Sequence, residues 1–514
     1  MQPREASVNQ SADASPVSTA HRLTLLLLLV AGVAVRFFHL VSKPFWFDEC
    51  FSVEVARIGW GNFLRLLWWR EANMSLYYLL LRIWLHFGQT EFFIRSLSVL
   101  IAAATLPAIY WLGRLLYNRR VGLIAASLFA FNAYSVRYAQ EARSYTLFLL
   151  LATLSSCFLI AFLEDPSRRN QLGYVSASSL AVYAHFYALL LVVAQWMAWR
   201  LGNTDLSSPQ RPVQMRRAWI AIGLVALPLL VFVAKTGAGP IRWIPRPRVH
   251  DVLAFYEHLA GGSNWLLPAI FTAACIAAVL PVRKQLWARK RDWGTWRIQF
   301  LLIWLLFPVL LTILLSFARP VFLGRYMIFC LPALLILAAA GLARIPQSWL
   351  MGAALAGMLL LTGQGILFVY GHDFDQERDS SGAATNFILD HAEPGDGVVF
   401  HIAETRIPYE FFRTLRVGKN RASPDFTAAL GPEILFPRHG AGLDYRDFTG
   451  KPTADLLRAA QASHPRVWIM LMNNGSEENP DPTTIMLSRV LPESFPRMQQ
   501  WAFTKVEVRL YSKD

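Results

Sequence analysis

Charged side chains are scarce in this sequence. Asp, Glu, Lys and Arg make up 16% of its 514 residues, against about 25% in soluble globular domains. So few charges cannot give a chain of this length a water-compatible surface, which excludes a single soluble body, and the apolar content excludes a disordered one. Cysteine is scarcer still. The four are Cys50, Cys157, Cys275 and Cys330. The last three sit in apolar stretches and none forms a Cys-x-x-Cys pair, so neither a disulfide framework nor a zinc site is expected. No repeat of fixed period is present. What is abundant is apolar: 55% of residues are hydrophobic and 13% aromatic, gathered in runs of about 20, the length that crosses a bilayer.

Residues 1–21 are polar and rich in Ser and Ala, and read as a disordered cytoplasmic tail. The apolar run 23–41 has no small-residue cleavage site behind it, so it reads as an uncleaved first helix. Further spans are expected near 96–116, 121–137, 145–163, 172–185, 187–203, 218–236, 265–282, 298–317, 326–343 and 348–370. The expected fold class is a polytopic α-helical membrane protein of about eleven transmembrane helices with a C-terminal soluble α/β domain. Its membrane domain covers 22–370, including a first outside loop at 42–95, and the α/β domain covers 371–514. In that domain, 379–391 has helical spacing and Pro394-Gly395-Asp396-Gly397 is a turn. Strands are expected at 398–402, 466–472 and 501–511, and a helix at 483–489.

The net charge of +15 is unevenly spread. Residues 371–514 hold 16 Lys+Arg and 20 Asp+Glu, a net −4, which leaves +19 on residues 1–370. Cytoplasmic loops attract Lys and Arg. With the N-terminus inside, the inner loops hold Arg114, Arg119 and Arg120, then Arg168 and Arg169, then Arg211, Arg216 and Arg217, then the basic stretch 283–291, then Arg344. The outer loops hold Asp48, Glu49, Glu54, Glu71, Glu91, Glu141, Asp251 and Glu257. The basic excess therefore reports orientation and calls for no nucleic acid. The apolar stretch 76–87 is short and carries Arg82 and His86, which suits an interfacial helix lying in the membrane surface.

Several residues stand out against this background. Asp48 and Glu49 open the first outside loop among aromatics, either as a helix-capping pair or as a general base with its partner. Glu141 and Arg143 end the third span, as an interfacial ion pair or as substrate contacts. His185 lies in the aromatic patch Tyr183-Ala184-His185-Phe186-Tyr187. It is either a hydrogen-bonded interface residue or, with Asp48 and Glu141, a ligand set that would suit a divalent ion. Arg319 and Arg325 flank an outside turn, against the positive-inside trend. Arg242, Arg246 and Arg248 also fall outside, where snorkelling to headgroups accounts for Arg246 and Arg248. Arg36, inside the first helix, is costly unless it faces the protein interior, and is given no role.

Trp46-Phe47-Asp48-Glu49, followed by Leu76-Tyr77-Tyr78-Leu79-Leu80, Phe87-Gly88 and Arg95, resembles the opening of the multispanning GT-C glycosyltransferases. The branch it is most similar to is that of the protein O-mannosyltransferases and aminoarabinose transferases. Tyr138-Ala139-Gln140-Glu141-Ala142-Arg143-Ser144-Tyr145 agrees, as does Gly324-Arg325-Tyr326 leading into Leu331-Pro332, so the resemblance runs in order over 22–343. The Glu393-Pro394-Gly395-Asp396 turn is also familiar from it. Where relatives usually carry Pro-Pro, this chain has Asn73-Met74-Ser75.

The resemblance implies an inverting transfer of a sugar from a polyprenyl-phosphate donor to an acceptor hydroxyl at the outer membrane face. It implies Asp48 as base, Glu49 as the second acid of the pair, and Arg325 with Tyr326 at the donor phosphate. Glu141, Arg143, His185 and Arg319 are further candidates for donor or acceptor binding. Metal use varies across the superfamily, so no metal is assigned and no cofactor is certain. The partners implied are the lipid-linked donor, a glycolipid, polysaccharide or protein acceptor, and membrane lipids. The place implied is the bacterial inner membrane. The competing readings are a transporter or lipid flippase, which broken helices in two similar halves would support, and a non-catalytic scaffold.

Overall fold

The computed structural model describes residues 18–202, 211–237, 244–288, 292–371, 379–420, 431–440, 442–472 and 481–513. Residues 1–17 of the expected tail, Arg242, and 289–291 of the basic stretch lie outside these. Two compact units emerge. One comprises Met1–Leu40, Ala72–Tyr77 and Arg95–His372, and the other Val41–Glu71, Tyr78–Ile94 and Asp373–Asp514.

The first unit is helical. Among the described residues, eight helices are long and apolar enough to cross a membrane: Thr19–Phe37, Glu91–Leu116, Tyr145–Glu164, Pro212–Thr236, Leu266–Trp287, Trp293–Ala318, Gly324–Leu342 and Ser348–Gly371. The other three expected spans appear as the shorter helices Arg119–Ala130, Arg168–Ala184 and Ala188–Gly202. The expected span 121–137 is broken. Its second part forms a separate helix, Ala133–Ala139. Asn132 makes the break, because its side-chain oxygen accepts from the Ser135 amide at 2.9 Å while its Nδ2 donates to the Leu259 carbonyl at 3.1 Å. An Asn that caps a new helix competes with continuation of the old one.

Packing in this unit relies on close backbone approach. Leu331–Leu342 is apolar all round and every residue of it is buried, as a helix at the centre of a bundle must be. A Cβ added to Gly341 would lie 1.9 Å from the Ala274 carbonyl oxygen, so only glycine lets this helix meet Leu266–Val279 there. Arg36 does face the interior. Its Nη1 donates to the Gly32 and Ala130 carbonyls at 2.9 and 2.8 Å, and its Nη2 to the Phe129 carbonyl and Ser135 Oγ at 3.1 and 3.0 Å.

The second unit is α/β. Its sheet runs in the order β2-β1-β3-β5-β4, with β1 Gly397–Phe400, β2 Glu433–Phe436, β3 Arg466–Met472, β4 Arg497–Phe503 and β5 Val506–Ser512. Strands β1, β2 and β3 are parallel, and β5 runs antiparallel to β3 and β4. Alternation builds two cores. Val398, Phe400, Trp468 and Met470 face one side with Ala384, Ile388 and Tyr409. Val399, Val467, Ile469 and Leu471 face the other with Leu457 and Leu487. The expected strand 501–511 is two strands, because Lys505 turns the chain at φ 57°. The helices Arg406–Asn420 and Ala454–Ser463 and the strand β2 carry no expectation from the sequence. The turn before β1 is held by Asp396, whose Oδ2 accepts from the Glu393 amide, the Trp468 indole and Arg466 at 2.9, 2.8 and 2.9 Å.

Most of the loop segment, Val41–Glu71 and Tyr78–Ile94, belongs to this unit, while Ala72–Tyr77 belongs to the first. The loop holds the helices Phe47–Arg57 and Trp60–Trp69. The interfacial candidate forms the helix Ser75–Trp84, whose ten residues extend about 15 Å, half a hydrocarbon core.

Candidate active site

Asp48 and Glu49 are the second and third residues of the helix Phe47–Arg57. There the helix dipole and the free amides of the first turn favour carboxylates. Glu49 is fully buried and Asp48 half-buried. The preceding Trp46 gives no side-chain cap. That work falls to Asp379, whose Oδ2 accepts from the Phe47 amide at 2.7 Å. Burial pushes the Cys50 thiol up, and the carboxylates of Asp379, Glu49, Glu54 and Glu91 push it the same way. Cys50 is therefore a protonated core thiol and no nucleophile.

The membrane unit gathers the remaining candidates, except one. Gln140–Ser144 is a tight bend between the helices Ala133–Ala139 and Tyr145–Glu164. The bend is fixed from outside, as Gln140 Nε2 donates to the Arg36 and Phe38 carbonyls at 3.1 and 2.6 Å. It is fixed from within by the Arg143 amide, which donates to the Glu141 carbonyl at 2.8 Å. Both Glu141 and Arg143 are buried. His185 ends the helix Arg168–Ala184, stacks on Phe148 with centroids 5.1 Å apart, and meets Tyr187 and Tyr326 at 5.2 and 4.7 Å. Its Nδ1 accepts from the Tyr187 amide at 3.2 Å, which makes Nε2 the protonated nitrogen. Nε2 is buried without a hydrogen-bond partner among the described residues.

Tyr326 and Arg325 lie on the 3-10 turn Gly324–Cys330, which Tyr134 steadies by donating to the Gly324 carbonyl at 2.7 Å. The charges of Arg143 and Arg325 reach His185, and those of Glu141 and Arg325 reach Tyr138. Glu141, Arg143, His185, Arg325 and Tyr326 thus form one aromatic-lined, charged group. Arg319 stays out of it, exposed at the C-terminal end of Trp293–Ala318.

The sequence did not single out Tyr134, Tyr138 or Tyr187, although the last two lay inside quoted motifs. It also missed Asp379. Asn73, in the stretch that departs from the Pro-Pro pattern, accepts from the Phe186 amide at 3.1 Å and so holds the backbone next to His185. Among the described residues, no three His, Cys, Asp or Glu side chains stand together as a metal site.

A bundle of membrane-length helices with an α/β tail is the architecture of a polytopic membrane protein, and solved structures share this fold. ArnT from Cupriavidus metallidurans in the apo state shares the fold with a TM-score of 0.62 at 12% identity, over 96% of this chain and 98% of that one. The same protein bound to undecaprenyl phosphate matches with a TM-score of 0.53 at 13% identity, over 94% and 97%. No protein-family model and no curated protein matches the sequence.

Proposed function

We propose that this chain is a membrane glycosyltransferase that moves a sugar from a polyprenyl-phosphate donor to an acceptor hydroxyl. The observation that carries this reading is the match of fold, over nearly the whole of both chains, to a protein solved with undecaprenyl phosphate. Asp48 takes the proton of the acceptor hydroxyl. The freed oxygen attacks the anomeric carbon as the bond to the phosphate oxygen breaks, so the configuration inverts and polyprenyl phosphate leaves. A phosphate is a weak base and needs cations more than a general acid. Arg325 and Arg143 supply charge for its oxygens, and guanidinium groups hold phosphates in bidentate fashion. Tyr326 and the protonated Nε2 of His185 donate to donor oxygens. Arg319 is available to lipid phosphate, and Glu49 and Glu141 orient the acceptor and the sugar. The acceptor class is a glycolipid, a polysaccharide or a protein.

The distribution of Lys and Arg over the loops supports a cytoplasmic N-terminus and an outside C-terminal domain, and we infer a bacterial inner membrane from the resemblance. The test is transfer from a radiolabelled polyprenyl-phosphate sugar by purified protein. Asp48→Asn should abolish transfer while insertion and folding persist; near-normal turnover would remove Asp48 as the base. Arg325→Ala should raise the donor KM by roughly tenfold or more, in line with loss of a charged hydrogen bond. An unchanged donor KM removes Arg325 from the phosphate site.

A further inference from the structure

We propose that Asp379 is a positioning residue for Asp48, and that one task of the C-terminal domain is to hold the loop helix that carries it. This rests on the reading of Asp48 as the base.

Three observations support it. First, the helix Phe47–Arg57 has no side-chain cap of its own. Its first amide is satisfied instead by Asp379, from the start of the C-terminal domain, at 2.7 Å. The amide that Asp379 holds belongs to the residue directly before Asp48. Second, Asp379 is itself fixed. It is 5% exposed, and its Oδ1 accepts from the Ser381 amide at 3.2 Å and from the Ser381 hydroxyl. Third, the aromatics around Asp48 are anchored in the same domain. Phe45 stacks on Phe411 with centroids 5.0 Å apart and planes 7° from parallel. Phe51 meets Phe448 edge-on at 5.5 Å. Phe47 packs against the core formed by Ile388, Phe400, Tyr409 and Trp468.

A loop that starts a helix with Trp at the N-cap would fray, since Ser, Thr, Asp or Asn normally holds the first amides. Here the cap comes from a residue more than three hundred positions away. The place of the Asp48 backbone is then set by the C-terminal domain, and a base displaced by about 1 Å can cost a hundredfold in rate.

The experiment compares Asp379→Ala, Asp379→Asn and Ser381→Ala with wild type in full-length protein. It measures kcat and donor KM for sugar transfer, with amide hydrogen exchange of residues 46–57. Asp379→Ala should speed exchange in the first turn and lower kcat by about tenfold or more, with donor KM within about threefold. Asp379→Asn keeps an oxygen that can accept from Phe47 and should restore both readouts to within about threefold of wild type. Asp379→Ala with wild-type exchange and kcat overturns the proposal, as does Asp379→Asn being impaired as deeply as Asp379→Ala. If Asp379→Ala does not fold, Ser381→Ala decides. It should give a smaller change in the same direction, and wild-type values in both readouts overturn the proposal. Asp48→Asn, assayed in parallel, fails or holds independently: full activity there refutes the base and leaves the exchange result to speak for the cap alone.

Discussion

Glu54 lies 2.8 Å from the Arg57 guanidinium, yet burial pushes its carboxyl up to about 7, against the pull of Arg57. Desolvation outweighs the ion pair, as it often does for buried charges. The folded-state value is raised, so the stability Glu54 contributes is fully present below about 4.5 and is lost as the pH rises through about 7, some 3 kcal/mol in all. Thermal melting of the detergent-solubilised protein should therefore fall as the pH rises from about 4.5 to about 7 and level off above that. Glu54→Gln should flatten that fall, and equal slopes would show that Glu54 is not its source.

His401 works in the opposite sense. Burial holds its imidazole down at about 4, with Nδ1 accepting from the Met472 amide at 3.2 Å. Its contribution is intact above about 6.5 and is lost as the pH falls through about 4. His401→Gln should leave the protein less sensitive to acid between pH 6 and 4 in the same melting experiment. A wild-type acid slope in that variant contradicts the assignment.

Phe411 carries both the Phe45 stack and the Arg57 guanidinium, which sits 5.4 Å from its ring centroid. Phe411→Ala should cost about 3–5 kcal/mol in the second unit, and Phe411→Leu distinctly less. The check is chemical denaturation followed by the tryptophans of that unit; indistinguishable midpoints would deny the ring its role.

His185→Phe keeps the stack on Phe148 and removes the buried Nε2 proton. An unpartnered buried donor costs about 1–3 kcal/mol, so this variant should melt no lower than wild type by measurement of its thermal midpoint. Transfer should nonetheless fall about tenfold or more, the signature of a polar group held for a substrate. Full activity removes His185 from the binding group.

Gly341→Ala should be severely destabilising, because its Cβ meets a backbone oxygen that cannot swing aside. Overpacking of this kind costs about 1–3 kcal/mol or more. Gly352→Ala is the control, since nothing lies within 4 Å of a Cβ there, and it should be neutral or slightly stabilising. Equal melting of the two variants would refute the close approach.

Composition made the membrane unit legible, because a bilayer demands long apolar runs whatever the partners are. It could not show the break at Asn132, which sits in an apolar stretch and depends on where one side-chain oxygen points. The hairpin at Lys505 was hidden for a related reason. Its positive φ falls on lysine, whereas the usual signal is Asn-Gly or Asp-Gly. In the candidate site, the acids and arginines were visible as charges in unexpected places. Their aromatic frame was less so, since a tyrosine near a membrane surface has many ordinary reasons to be there. Asp379 was invisible, because nothing in a sequence ties a carboxylate to an amide in a distant loop.

Arg36 has a consequence in time. Among the described residues, its acceptors outside its own helix, from Phe129 to Ser135, lie 93 to 99 residues downstream. At about 5–20 residues per second of synthesis, the first helix emerges some 5–20 s before the groups that neutralise it. Until then an arginine near the end of an apolar helix must remain in contact with water or with the insertion machinery, because lipid alone would charge it roughly 2–3 kcal/mol. A cysteine one turn away, Val33→Cys, with Arg36 kept, should react with a water-soluble thiol reagent in nascent chains arrested before Phe129. It should become shielded in chains extended well beyond Ser135, so that the first span settles only once the helix break near Asn132 has been made.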